Sequence, residues 1–251
     1  MMMGKIEIFS YLLILIEYLP VTLAVFAGAM LVGGTIGVSF ALSRVYKVPV
    51  LRWIVVGIGS YVRGVPVLVQ LMLTYYFLPQ ALEAIGIPAG NWPAFAFVVA
   101  AYGIYAGVQF SEAIRGAIGS IPKGQLEAAY TIGMTGRQVL FRVIAPQALL
   151  IALPDISNIM LIGLKSTSLA FTVGVMDMVG RGQALASQTL NSVQVSVALC
   201  IVYYIIAVLM EKGFKRLEKR LSVHLSRDQQ KAQAEKPSKR QGQGLFGFVK
   251  S

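Results

Sequence analysis

Residues 119–146 read GSIPKGQLEAAYTIGMTGRQVLFRVIAP, and this stretch is the polar hinge of an otherwise apolar chain. Pro122 suits a first helical position, where a missing N–H removes nothing. Gly133 suits the left-handed residue just past a helix end. Thr135 followed by Gln138 reads as a capping box, so a second helix starts there. The hinge therefore encodes a short capped helix, about 122–133, between two long apolar segments. Such a helix is a handle for something outside the apolar phase.

The composition sets that phase. Of 251 residues, 56% are hydrophobic and 13% charged, and the mean hydropathy is +0.70. A soluble domain is closer to 45–50% apolar and about 25% charged. The chain is read as an all-α, polytopic membrane protein, because only helices or closed barrels satisfy the backbone in lipid. Cys200 lies in an apolar run and has no partner for an internal disulfide. The single histidine, His224, lies in a basic tail, so no metal cluster is expected. The net charge of +11 does not point to nucleic acid, because from Lys212 onward 11 Lys+Arg face only 3 Asp+Glu. A basic block next to a membrane span marks a cytoplasmic end near anionic lipid.

Working outward from the hinge, five spans are expected, at about 18–43, 64–78, 92–117, 143–164 and 191–210. Residues 1–17 read as an extracytoplasmic, interfacial segment rather than a cleaved signal, since the apolar run continues too far. Ala29, Gly33 and Gly37 recur every four residues and give the first span a small face for close packing within the chain. Arg63-Gly64-Val65-Pro66 should break or kink the helix that precedes the second span. The stretch 165–190 reads as a short helix with loops. The tail, 223–251, reads as basic and disordered. Segments 43–52, 112–142 and 212–251 hold 18 of the 22 Lys+Arg, against 3 in segments 1–17, 78–92 and 164–192. The hinge and the C-terminus are thereby expected in the cytoplasm and the N-terminus outside.

Two acids fall inside spans. A carboxylate at mid-span costs roughly 2.5–3.5 kcal/mol on insertion scales, so each should face a cavity or a partner. Glu112 lies about 15 Å along a helix from Pro122, and Asp155 about 20 Å from Arg142. Counted from the same elbow, they reach similar depth. Asn158 shares the face of Asp155, and Gln70 is a further polar group in the second span. These four are the candidate substrate contacts, for a cationic or zwitterionic solute. Glu112 could equally pair with Arg115, Asp155 could serve a Pro154 helix break, and Gln70 could bond a neighbouring helix.

The hinge resembles the signature of membrane subunits of ABC importers: Glu127-Ala128-Ala129, Gly133, then Val143-Ile144-Ala145-Pro146 at the family spacing. Further stretches resemble the polar amino acid permeases: Arg63-Gly64-Val65-Pro66 with Gln70, Ser111-Glu112 with Arg115-Gly116, the intact Ser120 to Gln125, Leu153-Pro154 with Asn158, and Lys165-Ser166-Thr167-Ser168-Leu169. The match covers about 18–222. It departs at Gln109-Phe110, where an Ala-Tyr pair is usual, and at Ser166, where Asp is usual.

The resemblance implies a permease subunit in a prokaryotic inner membrane. Gly124, Glu127, Ala128, Ala129, Gly133 and Pro146 would couple it to an ATPase dimer. The other implied partners are a second permease chain, identical or not, and an external substrate-binding protein. ATP and magnesium would belong to the ATPase, since Gly-x4-Gly-Lys-Ser/Thr is absent from this sequence. A permease for another small solute, a secondary transporter and a channel are the alternatives.

Overall fold

The computed structural model describes residues 2–46 and 48–234, with side chains from Glu7 to Leu221. Among the described residues there is no strand. The helices are α1 (Met2–Ile16), α2 (Leu19–Val45), α3 (Pro49–Gly64), α4 (Val67–Ala84), α5 (Ala94–Gly119), α6 (Lys123–Thr131), α7 (Gly136–Val139), α8 (Ala145–Ser166), α9 (Met178–Thr189) and α10 (Ser192–Ala234). A π turn, Leu140–Ile144, joins α7 to α8, and a 3-10 segment, Thr167–Val173, follows α8. Four stretches are long and apolar enough to cross a bilayer: Leu19–Val45, Ala94–Gly119, Gly136–Val173 and Ser192–Leu221. The α3–α4 pair, bent by 117°, supplies a fifth if it is taken as one broken span.

The small face of α2 is used inside the chain. A Cβ on Gly33 would stand 2.8 Å from the Ala106 Cβ, and one on Gly37 would stand 2.6 Å from the Phe110 Cβ. From the other side, a Cβ added at Gly103 or Gly107 would stand 2.6 Å from Val32 or 2.7 Å from Ile36. The two helices run parallel and interlock backbone to backbone, which in lipid is where van der Waals contact can hold a pair together. This contact makes α5 the centre of the fold, with α2, α4 and α8 packed around it.

The sequence boundaries shift in two places. The second span was expected at 64–78, but the break falls at Val65-Pro66 and α4 begins at Val67. The helix of the fifth span runs on to Ala234, so the backbone of 223–234 is helical where disorder was expected. The rest of that expected disordered tail, 235–251, lies outside the described residues. The N-terminal helix packs on the bundle. Tyr11 and Leu15 are buried against Met178, Leu185 and the first turns of α10, and the Asn191 side-chain amide donates to the Tyr11 hydroxyl at 3.1 Å.

The segment after α8 folds back into the bundle. Asp177 is fully buried and caps α9, its Oδ1 accepting from the Gly180 N–H at 2.8 Å. Burial pushes its carboxyl above the ordinary value, while the amides at the helix start pull it down. The Met178 N–H donates to the Thr22 hydroxyl at 3.1 Å, which fastens α9 to α2.

The interlock is testable. Gly37→Ala should lower the thermal midpoint in detergent by several degrees, an overpacking cost of about 1–3 kcal/mol. Gly34→Ala, with no atom within 4 Å of its added Cβ, should leave the midpoint unchanged or slightly higher. Equal shifts in the two variants would contradict the assignment.

Candidate functional site: the hinge and the polar side chains of the spans

The hinge forms from local chemistry. Pro122 precedes the first helical residue of α6, with φ −59° and ψ 130°. It is therefore the N-cap and not the first helical residue that its sequence position suggested. At the other end Gly133 has φ +83°. Its N–H donates to the Tyr130 carbonyl at 2.9 Å, and the Met134 N–H reaches the Ala129 carbonyl at 3.2 Å. These are the two bonds of a Schellman ending. A side chain at Gly133 would be strained by that φ. The expected capping box follows, with Thr135 N–H to Gln138 Oε1 at 2.8 Å and Gln138 N–H to Thr135 Oγ1 at 3.4 Å. Pro146 cannot donate to the carbonyl four residues back, and its ring crowds that turn. Just before it the helix widens, with the Ala145 N–H bonded to the Leu140 carbonyl.

Of the residues expected to couple to a partner, Gly124, Glu127, Ala128 and Gly133 are exposed, Ala129 is buried and Pro146 is half-buried. The sequence reading missed two features here. Tyr130, Ile132 and Phe141 of the hinge stretch stand 55%, 78% and 64% exposed. Large apolar side chains clustered in a polar segment are the signal that could have found them. The second missed feature is an anchor. Gln147 Nε2 on α8 donates to Gln125 Oε1 on α6 at 2.7 Å. Ile121 lies in one apolar cluster with Ala117 of α5 and Ala148 and Ala152 of α8, and Leu126 and Ile144 pack against it. Thus α6 is attached to the N-terminal half of α8.

The polar groups within the spans do not form one pocket. Gln70 is 3% exposed, and its Nε2 donates to the carbonyls of Val62 at 2.9 Å and Val65 at 2.6 Å. The Val62 carbonyl would normally receive the N–H four residues on, which is Pro66. Gln70 supplies the donor that proline lacks, and so closes the end of α3. Of its two readings, the structural one fits. Glu112 is ion-paired with Arg63 at the end of α3, not with the nearby Arg115. Asp155 and Asn158 are exposed on α8. No hydrogen bond or ion pair engages Asp155 among the described residues, and α8 continues through Pro154. Ala117 of α5 packs beside Ala148 and Ala152 of the antiparallel α8, so Glu112 and Asp155 lie at comparable height. They face different neighbours: Glu112 faces α3, and Asp155 faces outward from the chain.

Residues 33–223 match the family described as "Binding-protein-dependent transport system inner membrane component". The chain is 42% identical over 213 residues to the L-cystine transport system permease protein TcyL of Bacillus subtilis (strain 168), covering 85% of this chain and 89% of that protein. It is 35% identical over 209 residues to a probable amino-acid ABC transporter permease protein, PatM, of Vibrio harveyi, covering 81% and 92%. Among solved structures it superposes with TM-score 0.75 and 27% identity on a chain of an amino acid ABC transporter with histidines. That superposition covers 86% of this chain and 97% of the other.

The role of Gln70 separates cleanly by experiment. Gln70→Leu leaves the buried Val62 carbonyl and the half-buried Val65 carbonyl without that donor and should destabilise the chain by about 1–3 kcal/mol. Gln70→Glu should fare no better, because an ionised carboxylate cannot donate. Thermal unfolding in detergent measures both. An unchanged midpoint with an altered substrate KM would return Gln70 to the substrate site.

Proposed function

Because this chain belongs to the family of binding-protein-dependent transport system inner membrane components, we propose that it is the transmembrane permease subunit of an ATP-driven importer for polar amino acids. The relatives named for amino acid transport support the substrate class. The observation that carries the proposal is the hinge itself: a helix that starts after Pro122 and closes in a Schellman ending at Gly133, exposed along Glu127 and Ala128, followed by the exposed Tyr130, Ile132 and Phe141, and anchored to α8. A secondary transporter or channel leaves that hinge without a task.

In this reading the chain is a transport component and not an enzyme. It lies in a prokaryotic inner membrane with the hinge and C-terminus cytoplasmic and the N-terminus outside, following its Lys+Arg distribution. It works with a second permease chain, two ATPase subunits that bind α6, and an external binding protein that delivers the solute. ATP binding closes the ATPase pair and displaces α6. Through Gln125–Gln147 and the apolar cluster, α8 moves with it as one body, which converts closure of the ATPases into a change of side. Asp155 and Asn158, carried outward on α8 about two to three turns from Gln147, would meet the solute in the space between the two permease chains. Glu112, held by Arg63, ties α3 to α5.

The expected outcomes distinguish the parts. Glu127→Arg and Gly133→Val should abolish ATP-driven uptake in proteoliposomes while the subunits remain folded. Gln147→Leu should lower the solute imported per ATP hydrolysed, with hydrolysis retained. Asp155→Ala should raise the KM for uptake. Normal coupled uptake in the Glu127 and Gly133 variants would falsify the hinge's assigned role. An unchanged Asp155→Ala KM would remove that residue from the path.

A further inference from the structure

We propose that the cytoplasmic ends of α2, α3 and α5 bind the headgroup of an anionic phospholipid of the inner leaflet, with the exposed apolar face of α3 taking up its acyl chains. The proposal rests on the membrane orientation given above. Arg44 stands in the last turn of α2, Arg52 near the start of α3, Arg63 at its end and Arg115 on α5. Arg44 is within electrostatic reach of the other three and of Glu112. The interlock explains why: Gly37 meets Phe110 and Ser111, so the parallel helices bring Arg44 and Arg115 to neighbouring levels. Glu112 is the one acid acting on Arg44 among the described residues, and Arg63 already holds it. Arg44, Arg52 and Arg115 form no ion pair of their own among the described residues. Like charges crowded at the edge of a low-dielectric phase call for an anion from outside.

The surroundings say which anion. The buried residues of α3, Val55, Gly59 and Val62, are spaced for one helix face. The other face exposes Val50, Trp53 and Ile54, with Val50 and Trp53 each 72% exposed. The Arg52 guanidinium lies 6.0 Å from the Trp53 ring centroid. The axis turns by 117° between α3 and α4. An amphipathic helix with tryptophan beside arginine, turned off the direction of the next span, fits the headgroup–acyl boundary. Arginine forks match phosphate oxygens, and basic pockets between spans on the cytoplasmic side suit acidic headgroups. A free phosphate would satisfy the arginines and leave Val50, Trp53 and Ile54 in water. A phospholipid satisfies both.

Native mass spectrometry of the full-length chain, purified with its partner subunits, tests this. Phosphatidylglycerol should be retained in preference to phosphatidylcholine. Each of Arg44→Gln, Arg52→Gln and Arg115→Gln should weaken retention by about fivefold, since one basic residue near the surface contributes about 1 kcal/mol. Lys212→Gln in α10 should not. Unchanged thermal midpoints verify folding of the variants. Equal retention of both lipids, full retention by the triple variant, displacement by inorganic phosphate, or loss of subunit assembly instead of lipid would each overturn the proposal. The last two outcomes would assign the arginines to a soluble anion or to a protein contact. ATP-driven uptake by the unaltered complex is measured alongside, so failure of the importer reading would be seen separately.

Discussion

The contact on which the rest depends is the approach of α2 to α5. In lipid there is no hydrophobic gain from burying one apolar helix against another, so association relies on dispersion and close fit. Gly33 and Gly37 on one helix and Gly103 and Gly107 on the other remove the side chains that would hold the backbones apart. The ridges beside them, Val32 and Ile36, fill the facing gaps. This fixes α5 in the middle. It also decides which residues stand side by side at the C-terminal ends of α2 and α5, where the Arg63–Glu112 pair ties in α3. Gln70 then holds the end of α3 where Pro66 would leave carbonyls bare.

From that centre the chain passes to the hinge by a series of backbone endings that leave few conformations open. Pro122, the Schellman bonds at Gly133 and the Thr135–Gln138 box each fix one corner. The anchor to α8 uses both kinds of interaction, a side-chain amide pair and an apolar cluster. Packing transmits a push because interdigitated side chains resist compression. Tyr130, Ile132 and Phe141 are the large apolar side chains that the hinge leaves exposed.

Most of the hinge was legible in the sequence, because caps are local: Gly133 and the Thr135–Gln138 pair name their own bonds. The small face of α2 was legible for the same reason, through its four-residue spacing. What the sequence hid was tertiary. Glu112 has Arg115 three residues away, yet its partner is Arg63, 49 positions distant, and no periodicity reveals that. Pro66 announces a break, but the 117° turn depends on what α3 and α4 pack against. The amide of Gln70 looks free until the carbonyls it caps are known. The height of Asp155 could be counted from the elbow, whereas its outward direction depends on how α8 is rotated against α5. The expected disorder after residue 222 failed over 223–234 because those residues continue a helix already begun in the membrane.

The central claim is that α6 and α8 move as one body. Gln125→Cys and Gln147→Cys, introduced together in a Cys200→Ser background and joined by a short bis-maleimide tether, test it in the reconstituted transporter. If the two helices keep their relation throughout the cycle, the tethered protein imports at least as fast as the same variant left untethered. If the tether abolishes ATP-driven uptake while the untethered variant still transports, the helices must separate during the cycle, and the account is wrong.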